Sequence, residues 1–162
     1  PIVARRPGFL NRLQRWAANP ARVREAGVMS ILLGVSIPIW FIASIIQIDA
    51  QGFDPGVTRE LIPHAIALSA TLLLPLAWIG YRIRPNTKGW VKAGLVMSLL
   101  NLLMVIGPLV SEPLIFTDVY GRHPMAKVIT FTFMSMLFTF QTVHYAVILF
   151  LGMKAKLPLK QT

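Results

Sequence analysis

Long apolar runs separated by short polar segments dominate the pattern of this chain of 162 residues. The runs lie at about residues 20–48, 61–83, 90–110 and 126–153. A hydrocarbon core of about 30 Å needs roughly 20 apolar residues at 1.5 Å rise each, so every run is long enough to cross a bilayer as a helix. The pattern therefore predicts an all-α integral membrane protein with four transmembrane helices, organised as a single membrane domain over residues 1–162.

Residues 1–18 follow a different pattern, in which apolar and basic side chains occupy opposite faces of a short helix. Phe9 and Trp16 share the apolar face, and Arg12 and Arg15 share the other face. This arrangement predicts an amphipathic helix that lies in the membrane interface, with its arginines toward anionic lipid headgroups. Arg12, Arg15 and Trp16 are the candidate headgroup contacts, and a disordered basic arm is the alternative.

Charge is distributed unevenly along the chain, and its distribution sets the expected orientation. The net charge of +10 arises from 16 Lys and Arg residues against six acidic residues. If the N-terminus is cytoplasmic, only Arg59, Arg122 and Lys127 among the basic residues fall on the outer side, and only Glu25 among the acids falls inside. The positive-inside rule therefore predicts a multi-pass protein of an inner, cytoplasmic-type membrane with both termini cytoplasmic. We interpret the charge as a topology signal rather than as a sign of nucleic-acid binding.

The fourth apolar run carries small and hydroxylated residues on one helix face. Thr132, Ser135, Thr139, Thr142 and Ala146 recur at three- and four-residue spacing, which places them on one stripe. Small side chains allow another helix backbone to approach closely inside lipid. The stripe is therefore a predicted docking surface.

Other positions in the spans are also predicted to pack helices together. Gly34 in the first span and Ser98 in the third span are small residues on helix faces. Asn101, near the middle of the third span, is expected to form a hydrogen bond to a neighbouring helix, at about 0.6–2 kcal/mol. The second outer segment, residues 107–127, is unusually apolar for a loop and is predicted to be a second docking surface.

Fixed charge is absent from the central part of every span. Proton-coupled transporters, voltage sensors and intramembrane carboxylate enzymes need such charges, so the pattern argues against these classes. The chain also contains no cysteine, which excludes disulfides, iron–sulfur ligation and thiol catalysis within it. We therefore expect no intrinsic catalytic activity and no metal site.

Histidine is the remaining candidate for chemistry. His144, deep in the fourth span, is a candidate ligand for haem, quinone or a pigment, and the alternative is a neutral imidazole bonded to a partner helix. His64 is a weaker candidate at about one turn from the outer face. His144 lies roughly 24 Å from that face at helical rise, so the two are not expected to share one iron within one chain.

These features favour a function carried by surfaces. The leading hypothesis is a non-catalytic accessory or anchor subunit of a larger membrane complex, of respiratory or photosynthetic type, with other membrane subunits and anionic lipids as partners. Two alternatives remain open. One is a redox anchor that binds haem, quinone or pigment through His144, and the other is a small oligomeric transporter.

Overall fold

The structure is a computed structural model that describes residues 8–50, 55–85, 87–110 and 124–153. Side chains are described for residues 8–43, 46, 62–85, 87–107 and 129–153. The apolar second outer segment therefore lies largely outside the described residues, as do residues 1–7 of the predicted interfacial arm. Within the described ranges the chain is helical apart from short connections, and it contains no strand.

Six α-helices and two π-helical turns make up the described chain. The helices are α1 (Phe9–Ala18), α2 (Pro20–Ala50), α3 (Pro55–Leu68), α4 (Leu74–Arg82), α5 (Lys88–Val110) and α6 (Pro124–Val147). One π turn, Ser69–Leu73, joins α3 to α4, and the other, Ile148–Gly152, continues α6.

Four of these segments are long and apolar enough to cross a membrane. They run over Pro20–Ala43, Ile62–Arg82, Lys88–Gly107 and Ile129–Gly152, and we refer to them as spans one to four. The prediction of an all-α chain with four such helices is confirmed, and the four spans indicate a multi-pass membrane protein.

The spans form an antiparallel bundle in chain order. Span one packs along span two and span three along span four, while α4 also contacts α5 and α2 contacts α6. Helix α1 packs on the π turn that ends span four. We call the end of the bundle that carries α1 and the connection between α4 and α5 the α1 end.

Local sequence explains how the chain turns at the α1 end. Asn19 caps α2, because its side-chain Oδ1 accepts a hydrogen bond from the backbone N–H of Ala21 at 2.9 Å, and Pro20 suits the first helical position. Between α4 and α5, the Thr87 hydroxyl donates to the Arg84 carbonyl at 2.8 Å and accepts from the Arg84 N–H at 2.9 Å. These bonds close a tight turn that keeps spans two and three adjacent.

The π turn in span two lies directly before Pro75, which occupies the first turn of α4. Proline lacks the N–H that would continue the helical ladder, and a π turn accommodates the interruption. The Thr71 hydroxyl donates back to the Ala67 carbonyl at 2.7 Å. Across the bundle, the buried Asn101 amide donates to the Leu72 carbonyl within this turn at 3.3 Å and to Met97 of its own helix at 2.8 Å. Asn101 therefore ties span three to the irregular part of span two.

Helix α1 docks on span four at Gly152, a residue without a side chain. A Cβ atom added to Gly152 would lie 2.6 Å from the carbonyl carbon of Ala17 and closer still to its oxygen, and Ala17 is 2% exposed. The backbones of α1 and span four therefore touch at this point.

We expect Gly152→Val to release α1 while leaving the four spans assembled, because the three atoms nearest to an added Cβ all belong to α1. Hydrogen exchange of the amides in residues 9–18 should accelerate by about tenfold or more, since undocking removes their protection. Exchange in α2 to α6 should not change. The matched control is Gly89→Val, where nothing lies within 4 Å of an added Cβ. Equal exchange of α1 in both variants would contradict the docking.

Candidate functional site

A cluster of polar side chains lies fully buried between spans one and four. Gln141, Ser30 and Tyr145 are each 0% exposed. The Gln141 Nε2 group donates to the Ser30 hydroxyl at 2.7 Å and to the Ala26 carbonyl at 2.9 Å. The Ser30 and Tyr145 hydroxyls lie 2.6 Å apart, and the Tyr145 hydroxyl is 3.3 Å from the Ala26 carbonyl. We call Ser30, Gln141 and Tyr145, with the Ala26 carbonyl, the polar cluster.

One proton arrangement satisfies all of these distances. If the Tyr145 hydroxyl donates to the Ala26 carbonyl, the Ser30 hydroxyl donates to Tyr145 and accepts from Gln141. The rest of the Tyr145 ring fills the space beside Gly94, where an added Cβ would lie 2.5 Å from the ring carbon Cζ. The ring is therefore held from span three while its hydroxyl bonds span one, so the polar cluster joins three spans.

The sequence patterns did not single out Gln141 and Tyr145, although a usable signal was present. The two residues lie four positions apart on one face of an otherwise apolar helix, and an amide inside a span needs a partner just as Asn101 does. Their face is also the bulky face of span four, which carries the buried Phe138 and Ile148.

His144 lies beside the polar cluster but takes no part in it. Its side chain is 8% exposed, and both ring nitrogens are buried without a hydrogen-bond partner among the described residues. Its ring packs between two aromatic rings, with centroids 5.5 Å from Trp16 of α1 and 5.9 Å from Phe140 one turn earlier. A buried polar group without a partner costs about 1–3 kcal/mol, so this arrangement calls for a further group.

Arg22 of α2 lies beside the Trp16 ring and is paired with Glu25. The Arg22 guanidinium lies 5.1 Å from the Trp16 ring centroid, and its Nη1 donates to both carboxylate oxygens of Glu25, at 2.5 and 2.7 Å. The Arg22 Nε atom is buried and has no partner among the described residues. Both charges act electrostatically on His144. Trp16, predicted as a headgroup contact, thus contacts both Arg22 and His144 and is 38% exposed.

The other histidine with a described side chain, His64, lies away from this region. His64 is exposed near the start of span two, about 27 Å at helical rise from Arg82 at the α1 end. His144 lies near the α1 end of span four. His123 falls outside the described residues. Over the described side chains, no three residues of the His, Cys, Asp and Glu types are close enough to hold a metal ion.

The small-residue stripe of span four faces away from the bundle core. Its residues Thr132, Ser135 and Thr139 line an open groove of about 510 Å³ together with four apolar side chains, Ile106, Met136, Phe140 and Val143. Thr142 and Ala146, the other stripe residues, are half-buried and do not line the groove. The Ser135 and Thr142 hydroxyls donate to the carbonyls of their own helix at 2.7 Å. Because these two hydroxyls already donate within their own helix, the stripe is suited to close helix packing rather than to hydrogen bonding with a partner.

The remaining predicted packing residues lie inside the bundle or on α1. Gly34 lies against span two, and an added Cβ would be 2.7 Å from the Ala77 Cβ atom. Ser98 is fully buried on span three. Arg12 and Arg15 are exposed on α1.

Comparison with known proteins adds no relative to this description. No protein-family model matches the chain, and neither curated proteins nor solved structures give a match. The function must therefore be inferred from the residues themselves.

Proposed function

We propose that this protein is a non-catalytic accessory or anchor subunit of a larger membrane complex, of respiratory or photosynthetic type. The observation that carries the proposal is the direction of the small-residue stripe. Span four turns Phe131 and Phe138 into the core. It leaves Thr132, Ser135 and Thr139 in an outward groove. Small residues in a membrane protein serve close helix packing, so an outward groove of this kind suits a helix from another subunit.

Two further features support a docking role. In spans two and three only 17% and 22% of the most apolar window is buried within the chain, against 39% in spans one and four. Much of the second and third spans is therefore free to contact lipid or other subunits. The buried polar cluster makes its hydrogen bonds within the chain, although the Gln141 Oε1 atom has no partner among the described residues. Its members hold helices together, which suits a structural role.

The charge distribution supports the predicted orientation. Every Lys and Arg with a described side chain lies at the α1 end, namely Arg12, Arg15, Arg22, Arg24, Arg82, Arg84, Lys88 and Lys92. Glu25 is the one carboxylate with a described side chain, and it lies at the same end. By the positive-inside rule we assign the α1 end to the cytoplasmic side of an inner-type membrane, with α1 in the interface.

Single-cysteine crosslinking tests the docking surface, since the native chain has no cysteine. Thr139→Cys places a thiol in the groove, and Leu32→Cys places one at similar depth on span one, where Leu32 is 57% exposed. After coupling to a photoreactive maleimide in native membranes, we expect residue 139 to form a discrete adduct with a second polypeptide. Residue 32 should label lipid. Lipid adducts alone at both positions, or purification in mild detergent as a lone monomer, would contradict the proposal.

The unpartnered imidazole favours a second candidate, a redox anchor that binds haem, quinone or pigment through His144. The aromatic rings of Trp16 and Phe140 would flank such a group. The absorbance spectrum of the protein purified from native membranes separates the two functions. A cofactor band that disappears in His144→Ala supports the redox anchor, whereas a colourless preparation rejects a haem or pigment there.

A further inference from the structure

Three buried nitrogen atoms belong to side chains that lie beside the Trp16 ring at the α1 end. They are Nδ1 and Nε2 of His144 and Nε of Arg22, and none has a hydrogen-bond partner among the described residues. Trp16 contacts both side chains, with the guanidinium 5.1 Å from its ring centroid and the imidazole centroid 5.5 Å away. These atoms come from α2 and α6, and Trp16 of α1 covers them. The Arg22 Nε–H and the imidazole N–H are therefore donors for which the described residues supply no acceptor.

We propose that Arg22 and His144 bind the phosphate group of an anionic phospholipid, with Trp16 and the rest of α1 as a lid. Phosphate oxygens accept charge-assisted hydrogen bonds from guanidinium and imidazole N–H groups. Arg22 uses only Nη1 for Glu25, which leaves Nε for the phosphate. A haem or pigment ligated by His144 would not need this second donor, so the pair favours phosphate.

The position of the site fits a lipid headgroup. Arg22 lies in the first turn of span one, and Gln141, one turn from His144, bonds the Ala26 carbonyl one turn further into span one. The two side chains thus lie at the boundary depth of the bundle. The surrounding end of the protein carries the cations named above against Glu25, so its field attracts anionic lipid despite the carboxylate.

The lid is needed because the donor atoms are buried when Trp16 lies over them. Helix α1 is held by its contact at Gly152, while the side chains of Phe9 and Leu10 remain 77% and 66% exposed. Trp16 can therefore leave the bundle and contact lipid together with the rest of the apolar face of α1. A phosphate then reaches Arg22 and His144 as the ring moves aside.

Lipid titration of the full-length protein, purified in neutral detergent and stripped of lipid, tests this site. The thermal unfolding midpoint is followed against short-chain phosphatidylglycerol, phosphatidylcholine of the same chain length and inorganic phosphate. We expect phosphatidylglycerol to raise the midpoint by several degrees through preferential binding to the folded state. Phosphatidylcholine and inorganic phosphate should bind at least about tenfold more weakly.

Variants separate a built site from diffuse attraction. His144→Phe keeps the aromatic packing but removes both nitrogens, and Arg22→Gln removes the guanidinium. Each should weaken the apparent affinity for phosphatidylglycerol by about tenfold or more, as expected for a hydrogen bond to a charged group. The matched control Arg24→Gln makes the same charge change at an exposed position of the same helix and should stay within about twofold.

Each other outcome overturns the proposal. If Arg22→Gln and Arg24→Gln lose the same affinity for phosphatidylglycerol and His144→Phe loses none, the lipid is attracted only by the surface charge of the protein. Inorganic phosphate binding as tightly as phosphatidylglycerol would make this a site for a soluble anion. If His144→Phe does not fold, the pair Arg22→Gln and Arg24→Gln decides. The lipid titration is independent of the crosslinking at Thr139, so either experiment can contradict its own proposal without affecting the other.

Discussion

Gly34→Ala should destabilise the bundle strongly although it adds only one methyl group. A Cβ at this position would lie 2.7 Å from the Ala77 Cβ, 2.8 Å from the Ala77 nitrogen and closer still to the Leu73 carbonyl oxygen. Two of these three atoms belong to the backbone of span two, so rotating a side chain cannot relieve the contact. Spans one and two must move apart, and overpacking of this kind costs about 1–3 kcal/mol. The free energy of unfolding in bilayers or mild detergent provides the measurement.

Gly107→Ala is the matched control for this prediction. Gly107 also lies inside a span, but no atom lies within 4 Å of an added Cβ. Alanine has a higher helix propensity than glycine, by about 1 kcal/mol, so this variant should be as stable as the native protein or slightly more so. Similar stability losses in the two variants would mean that the close approach of spans one and two is not what holds them together.

The span architecture was predictable because it depends on one-dimensional properties. Length and apolarity define a membrane-crossing helix without reference to any neighbour, since each helix satisfies its own backbone in lipid. Asn19 followed by Pro20 is a sequence pattern typical of a helix start, and the structure has that cap. A proline within an apolar run, as at position 75, is typical of an irregular helix, and a π turn lies just before it. The helix faces that pack together depend on the residues of both helices, so the pattern of one helix alone does not predict them.

Span four illustrates this limit. Its stripe of small residues and its bulky face were both visible in the sequence, but either face is able to pack against the rest of the chain. The structure places Phe138 and Tyr145 in the core, at 1% and 0% exposure, and leaves Thr139 exposed. Gly94 makes this choice possible, because the Tyr145 ring fills the space above it. A large residue at position 94 would have excluded that ring, so the outward stripe depends on a glycine in another helix.

The site also shows the difference between a histidine, which is readily selected from a sequence as a candidate site residue, and an amide, which is not. His144 is ionisable and was singled out for that reason, yet neither of its ring nitrogens has a hydrogen-bond partner among the described residues. Gln141 is neutral, and its amide reaches two groups of span one. In a low-dielectric interior the neutral donor is the cheaper one to bury, so amides are suited to join helices while an unpaired imidazole is suited to receive a ligand.

Gln141→Leu should therefore destabilise the bundle, although leucine is apolar and similar in volume to glutamine. The substitution removes two hydrogen bonds to span one, and hydrogen bonds between membrane helices contribute about 0.6 kcal/mol on average and at most about 1.7. It also leaves the Ser30 hydroxyl with one fewer donor in a fully buried site. We expect a loss of about 1–3 kcal/mol in the free energy of unfolding.

Thr142→Val provides the control in the same helix, because its hydroxyl bonds the Phe138 carbonyl of α6 rather than another span. That variant should change the free energy of unfolding by less than about 0.5 kcal/mol, as expected where no bond between helices is lost. A double-mutant cycle with Ser30→Ala then locates the effect. If Gln141 acts through Ser30, the double variant should lose less than the two single losses combined, because the shared bond is removed only once. Additive losses, or equal stability in Gln141→Leu and Thr142→Val, would refute the polar cluster as the link between spans one and four.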